Sequence, residues 1–333
     1  MSSDPTTKDL NAFLDHFDKT TVLVIGDLML DRYMYGTVSR LSPEAPVPVV
    51  DIIHEVYRLG GAGNAITNIR LLRGNVIPAG VVGDDWFGRQ LIGLLNQDAI
   101  DTTGIIECTE RPTTVKTRVI AEQHHMLRLD REIRNPISSV HEDAILHFLQ
   151  DSIASVDAIL ISDYNKGVIT RTLLGKIISL AEKSDKPVIV YPKIENSFDY
   201  KGVHTFITTL ENAVQLTEIK QINETSIRNL GQWLLTRLES DHLLILRGKE
   251  GMSLFDKNGN VTHISPIPTE FTNISGTIDT VACIIALSLH SCNNHLSENI
   301  VRLANIGAGI APVHTEPYSI TQKDLRSKIK DYV

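Results

Sequence analysis

Short β-rich runs alternate with helical patterns along most of this chain, and that alternation limits the fold more than any other feature. Thr20–Ile25 (T-T-V-L-V-I), Val76–Val82, Ala158–Ser162, Val188–Tyr191 and Leu243–Leu246 are strand-length apolar runs. Runs of this kind suit strands buried on both faces of a parallel sheet. Between them, Ala65, Ile66, Ile69 and Leu72 carry helical spacing, as do Trp86–Leu95, Ala144–Ile153, Leu173–Ala181 and Leu230–Leu238. A hairpin is predicted around Gly251–Phe255 and Val261–Ile264. Three helices close the chain near Asp279–Leu289, Glu298–Ile310 and Gln322–Lys330. Strand-helix alternation predicts an α/β fold with a mostly parallel central sheet and helices on both faces. Such sheets bind ligands beyond the carboxyl ends of their strands. Asp27, Asp163, Lys193 and Arg247 all fall at or just past predicted strand ends.

The stretch from Leu28 to Asp51 breaks this rhythm. Its aromatics, its prolines at 43, 46 and 48 and the run Val47–Val50 predict edge strands or a lid. Thr113–Ala121 and Met126–Leu129 predict a second strand pair. No repeat, low-complexity tract or linker interrupts residues 1–333, which read as one domain carrying a small β excursion.

Composition narrows the partners. The net charge of −8 argues against nucleic acid or an anionic membrane as the main partner. Cys108, Cys283 and Cys292 form no spaced pair, which argues for a reducing compartment. No apolar run reaches spanning length and the N-terminus lacks an apolar signal core, so the chain is read as cytoplasmic.

Thr272–Thr280, T-N-I-S-G-T-I-D-T, is a small-residue turn leading into the apolar run Val281–Leu289. A helix start presents free N–H groups and a positive dipole end, a natural anion cradle. Asp279 falls in the first helical turn, where a carboxylate is stabilised as an anion. An anion cradle beside a carboxylate base is what phosphoryl transfer to a hydroxyl needs. Taken alone, these nine residues also read as an ordinary helix start with a first-turn charge.

Other motifs fail. Gly61-Ala62-Gly63 begins like a dinucleotide fingerprint, but Ile66 fills the third glycine position. Gly307-Ala308-Gly309 lies inside a helical pattern, and no G-x-x-x-x-G-K-[ST] is present. His290, Cys292 and His295 lack paired zinc-ligand spacing, so no metal site is assigned.

Several strings converge on one family. They are Gly26-Asp27-Leu28-Met29-Leu30-Asp31-Arg32-Tyr33, then Ser39-Arg40 and Ser42-Pro43-Glu44-Ala45-Pro46-Val47-Pro48-Val49, then Gly60-Gly61-Ala62-Gly63-Asn64. Leu127-Arg128-Leu129-Asp130, Ser162–Gly167, Arg247–Met252 and Ser275–Asp279 add to them. With these the chain resembles the ribokinase/phosphofructokinase-B sugar kinases, most closely their heptose-7-phosphate kinase branch, from about Val22 to about Lys330. The resemblance implies a three-layer ribokinase-like domain with a β-sheet lid from about 31–53 and 106–130. It implies homodimers that clasp through the lid, ATP with Mg²⁺, and phosphorylation of an anomeric hydroxyl.

The same resemblance implies roles for single residues. Asp31 and Asn64 would bind sugar hydroxyls, and Gly60 and Gly61 would let the backbone approach the sugar. Arg128, Lys166 and Lys193 would gather around the phosphate that the substrate already carries. Asp279 would be the base, and Gly276 part of the cradle for the transferring group. Arg247, Ser275, Thr277 and Asn305 would border the nucleotide.

Departures cluster on the ATP side. The family's T-G-A-G-D reads Ser275-Gly276-Thr277-Ile278-Asp279, its N-x-x-E aligns with Leu210–Ala213, its D-P-K reads Tyr191-Pro192-Lys193, and Asn273 replaces an aspartate. Ile278 is expected to crowd the cradle. Two functions follow: an ATP-dependent sugar-phosphate kinase, or an impaired kinase-fold protein binding sugar phosphate as a sensor or partner subunit. A plain dimerisation module leaves the sugar-side strings unexplained. Any second, nucleotidyltransferase activity would need a separate protein.

Overall fold

In a computed structural model that describes residues 6–122, 124–217, 223–267, 276–310 and 319–332, the alternation becomes a layered fold. A short helix, α1 (Thr7–Leu14), precedes β1 (Thr21–Gly26). Two long strands follow, β2 (Leu28–Leu41) and β3 (Pro48–Gly61), then α2 (Ala62–Leu71), β4 (Asn75–Gly83), α3 (Trp86–Gln97) and β5 (Ile105–Cys108). Strands β6 (Thr114–Ala121) and β7 (His124–Arg131) lead to α4 (Ser139–Ser152), β8 (Ala158–Ser162), α5 (Arg171–Lys183) and β9 (Val188–Val190). Next come β10 (Thr205–Thr209), α6 (Leu210–Thr217), α7 (Glu224–Leu238), β11 (His242–Leu246), β12 (Met252–Asp256) and β13 (Val261–Ile264). Helices α8 (Thr277–Leu289), α9 (Glu298–Ile310) and α10 (Gln322–Tyr332) close the described chain.

Among the described residues the main sheet has nine strands in the order β13-β12-β11-β10-β9-β8-β1-β4-β5. Strands β5 through β11 in that row run parallel, and β12 and β13 return antiparallel. Successive side chains on a strand point to opposite faces, and the core divides accordingly. Val22, Val24, Leu160 and Leu244 pack on the face carrying α2, α8 and α9. Leu23, Ile25, Ile159, Ile161, Leu243 and Ile245 pack on the face carrying α4, α5 and α7. Each fully buried aliphatic side chain contributes about 1.5–3 kcal/mol through water exclusion. The continuous apolar runs of the sequence are therefore strands covered twice.

A second sheet of four strands, ordered β3-β2-β6-β7, forms the β excursion. β2 pairs antiparallel with β3 from Leu28↔Gly61 outward and parallel with β6 from Met29↔Thr114. Its boundaries differ from expectation: the first strand pair runs from Leu28 to Gly61, beyond 31–53. Ile105–Cys108 pairs with β4 in the main sheet, because Gly80–Gly83 leaves that edge unpaired. The small sheet therefore takes 114–131, not the whole of 106–130.

Candidate active site

The ends of β1, β8 and β9 and the starts of α2 and α8 come together at the carboxyl edge of the parallel sheet. Asp27, just past β1, is buried and accepts backbone N–H bonds from Tyr164, Lys166 and Val168 at 2.8, 3.0 and 3.2 Å. Those bonds wrap the Ser162–Gly167 loop around one carboxylate. Burial, and the charge of Asp163 after it, push the Asp27 pKa up to about 6 against the pull of these bonds. The loop presents the Tyr164 hydroxyl to the site.

Asp279 lies in the first turn of α8 and is only 4% exposed. Gly276, with φ of +85°, starts the helix in a left-handed conformation that favours glycine. Among the described residues, a side-chain carbon added there meets only Asn64 Nδ2, at 3.9 Å, so these leave space open beside the helix start. Asn64 comes from α2, which begins after Gly61 at φ +57°. Any Cβ at Gly61 would sit 2.3 Å from the Asp27 carbonyl oxygen, so glycine is required for the turn that aims Asn64. Asn64 Nδ2 donates to Asp279 Oδ2 at 2.6 Å. The Tyr164 hydroxyl stands 3.3 Å from both carboxylate oxygens, and the Tyr191 hydroxyl donates to Oδ1. Burial pushes the Asp279 pKa up, opposed by hydrogen bonds from Tyr191, Asn64 and Tyr164 and by the charge of Lys193.

A cavity of about 460 Å³ opens over this carboxylate. Its floor is Gly60, Gly61, Asn64, Gly276 and Asp279, and its wall is the small sheet, through Asp31, Arg58, Lys116 and Arg118. A wider groove of about 560 Å³ over α10 has no carboxylate among its described lining residues, so the smaller cavity is the candidate. Asp31 Oδ1 accepts from Arg118 Nη1 at 2.6 Å. Gly60 faces Asp31, and a Cβ there would lie 2.6 Å from its Oδ2.

The expected phosphate cluster is arranged differently. Arg128 is on the edge strand β7, 56% exposed in its side chain and hydrogen-bonded to Asp130. Lys166 Nζ pairs with Glu132 at 2.8 Å. Burial opposes ionisation of Glu132, but bonds from Lys166, Arg134 and Lys116 outweigh it and bring its pKa down to about 2. Neither Arg128 nor Lys166 lines the cavity. Lys193 is exposed, with Nζ 5.3 Å from the Tyr164 ring centre. Lys116 and Arg118, which sequence reading missed, face the cavity. Their i, i+2 spacing on β6, opposite Asp31 and Tyr33 of β2, is the signal that could have found them.

On the nucleotide side, Thr277 Oγ1 is buried without a hydrogen-bond partner among the described residues. That orphaned hydroxyl, the open space at Gly276 and the start of α8 together fit a phosphate. Arg247 is committed to Glu224 at 2.6 Å and Glu250 at 2.8 Å, with its side chain 6% exposed. Asn305 Nδ2 donates to the Ser265 carbonyl at 2.8 Å. Ser275 and Asn273 lie outside the described residues. Ile278 corrects an expectation: it has no positive φ, and its side chain packs against the core. The helix has already begun at Thr277, so β-branching costs little there. Ala213 is wholly buried and Leu210 packs on the same cluster, so the chain has filled those two positions with apolar contacts. Among the described residues, the one trio of ligand atoms close enough to share a metal is Cys108, Glu110 and His141, which is not part of the cavity wall.

The sequence profile of the pfkB family carbohydrate kinases matches residues 19–319. The chain belongs to the pfkB family of carbohydrate kinases. Within that family, it is 39% identical over 304 residues to the bifunctional protein HldE of Geobacter metallireducens, covering 91% of this chain and 62% of the relative. It is 34% identical to the bifunctional protein HldE of Desulfatibacillum aliphaticivorans, covering 98% of this chain and 66% of the relative. The chain thus spans about three-fifths to two-thirds of the length of these curated relatives. Phosphofructokinase-2 from Escherichia coli in complex with fructose-6-phosphate superposes with a TM-score of 0.73 at 16% identity, over 94% of this chain and 98% of the other. Arabidopsis thaliana ribokinase complexed with ribose and ATP gives 0.70 at 14% identity, over 93% and 99%. These solved structures establish the ribokinase-like fold.

Proposed function

We propose that this pfkB-family chain transfers the γ-phosphoryl group of ATP to the anomeric hydroxyl of a sugar phosphate, with heptose 7-phosphate as acceptor. The observation that carries this reading is Asp279, buried in the first turn of α8, held by Asn64 and opening onto a cavity. The acceptor class rests on the strings around Asp31 and Ser42–Val49 that resemble the heptose kinase branch. Asp31, Asn64 and the backbone at Gly60 and Gly61 bind sugar hydroxyls. Arg58, Lys116 and Arg118 place positive charge on the cavity wall for the phosphate the sugar carries; charge-assisted bonds to phosphate are the strong ones.

In the reaction, the acceptor oxygen attacks the γ-phosphorus while Asp279 takes the hydroxyl proton. The bond from the γ-phosphorus to the β–γ bridging oxygen breaks, and ADP leaves with that electron pair. Thr277 and the free N–H groups at the start of α8 face the transferring group, where fixed donors lower the barrier. Magnesium, when bound, would neutralise phosphate charge, although Leu210 and Ala213 offer it no side-chain ligand at the positions of the family's N-x-x-E. Asp279 must be ionised to act, and burial holds its pKa above the ordinary carboxylate value, so activity rises with pH through a midpoint above 3.8.

A second reading, a sugar-phosphate binder that transfers slowly, is favoured by the bond that Tyr191 makes to the base. Thermal shift separates the two, because a ligand that binds only the folded state raises the melting temperature. Heptose 7-phosphate and Mg-ATP each raise it in the kinase reading. A shift with the sugar alone supports the binder, and no shift with the sugar rejects both.

A further inference from the structure

Tyr191 directly follows β9, where the family pattern has the aspartate of D-P-K, and it is buried at 9% exposure. Its hydroxyl donates to Asp279 Oδ1 and meets Ser162 Oγ at 3.0 Å. An ionised carboxylate offers about four lone-pair sites. Asn64 takes one on Oδ2, Tyr191 takes one on Oδ1, and the Tyr164 hydroxyl bridges both oxygens at 3.3 Å. Little capacity is left to accept the proton of an incoming hydroxyl. Hydrogen bonds to the charged form also lower its proton affinity.

We propose that Tyr191 is a throttle on the catalytic base: its phenol sequesters Asp279 Oδ1, and phosphoryl transfer waits for that hydroxyl to give way. This deepens the kinase reading above and rests on it. Two neighbouring observations say why the phenol stays. Ser162 supplies a second buried partner, so the hydroxyl is satisfied at both ends. The pKa of Tyr191 is pushed far up by burial and by the charge of Asp279, so the phenol remains a donor across the working pH range. The proton needed in the reaction therefore comes from the sugar hydroxyl alone. It passes to Asp279 once Oδ1 is released, and then to solvent, while the γ-phosphoryl group passes from ATP to the sugar oxygen and ADP leaves. Tyr191 acts through Asp279 and is a positioning residue, with no contact to the reacting atoms assigned to it.

The test is Tyr191→Phe, which keeps the ring and removes the hydroxyl. Steady-state ADP release with heptose 7-phosphate and Mg-ATP is measured for the parent and the variant across pH, with Asp279→Asn made in both backgrounds. The expected result is a kcat at least tenfold higher in Tyr191→Phe, an unchanged KM for the sugar, and an acid limb moved to higher pH because a donor to the carboxylate is gone. An unchanged or lower kcat overturns the throttle. Sugar-dependent ADP release that survives Asp279→Asn in both backgrounds is a different failure, and it rejects Asp279 as the base. A variant that melts early is replaced by the double change Tyr191→Phe with Ser162→Ala, which removes the partner left unpaired. The same kcat and pH criteria then apply to the double change.

Discussion

At the residue scale, the site is governed by which charges face the cavity. Arg118 lines the cavity, whereas Arg128 sits on the outer strand bound to Asp130. Arg118→Ala is therefore expected to weaken binding of the phosphorylated sugar by roughly 1.5–3 kcal/mol, the worth of a hydrogen bond to a charged group. Arg128→Ala is expected to cost less than about 0.5 kcal/mol, the usual range for a surface change. Titration calorimetry on both variants decides between them, and a larger loss at Arg128 would return the phosphate to the edge strand. A second residue-scale expectation concerns His242. Burial, and His204 beside it with ring centres 4.9 Å apart, lower its pKa to about 4. The folded protein keeps His242 neutral while the unfolded chain protonates it near pH 6.5. Stability from this residue is therefore lost as pH falls from 6.5 to 4 and is unaffected above that window. Asp27, with its pKa raised to about 6, works in the opposite direction as pH falls through the same range. Ring-proton NMR isolates His242; a midpoint near 4 is expected, and one at 6 or higher contradicts its burial as the cause.

Elements were legible where composition and period agreed. β1, β8 and β11 announced themselves as continuous apolar runs because both faces are covered. β10 did not, because Thr205, Thr208 and Thr209 dilute the run T-F-I-T-T although its first four residues are buried. β5 was mistaken for lid because a four-residue edge strand carries too little pattern to show which sheet it joins. The resemblance placed Asp279 and Asn64 at one site, and the two side chains meet at 2.6 Å. The contact between Tyr191 and Asp279 was not, since it joins residues 88 apart through the ends of neighbouring elements. The departure Y-P-K was visible, but its meaning needed the geometry. Gly61 tests the turn that couples β3 to α2. Gly61→Ala forces a left-handed φ on alanine, worth about 1–2 kcal/mol, and adds the clash with the Asp27 carbonyl. Gly202→Ala, also at positive φ but in open space, is the control without the clash. Urea midpoints are expected to fall further at Gly61, and equal losses would mean that the close approach relaxes freely.

At the scale of the whole molecule, the small sheet holds the cavity wall with one set of residues and leaves another set bare. Leu41, Val47, Ile53 and Leu129 are 65%, 52%, 71% and 57% exposed. They come from β2, the turn after it, β3 and β7, so the small sheet exposes apolar side chains along its length, the kind of surface that suits a partner. A homodimer clasped through the small sheet is the proposal they support. Sedimentation is expected to give a dimer that Ile53→Lys with Leu129→Lys converts to monomer, and a monomeric parent would remove it. The larger claim is that this chain is a working sugar-phosphate kinase whose base is Asp279. Steady-state ADP release from Mg-ATP, with and without heptose 7-phosphate, tests it most directly when the parent is compared with Asp279→Asn. The account predicts release that depends on the sugar phosphate and falls at least about 100-fold in the variant, the lower end of what general-base catalysis contributes. Release that persists at the parental rate in Asp279→Asn would contradict it.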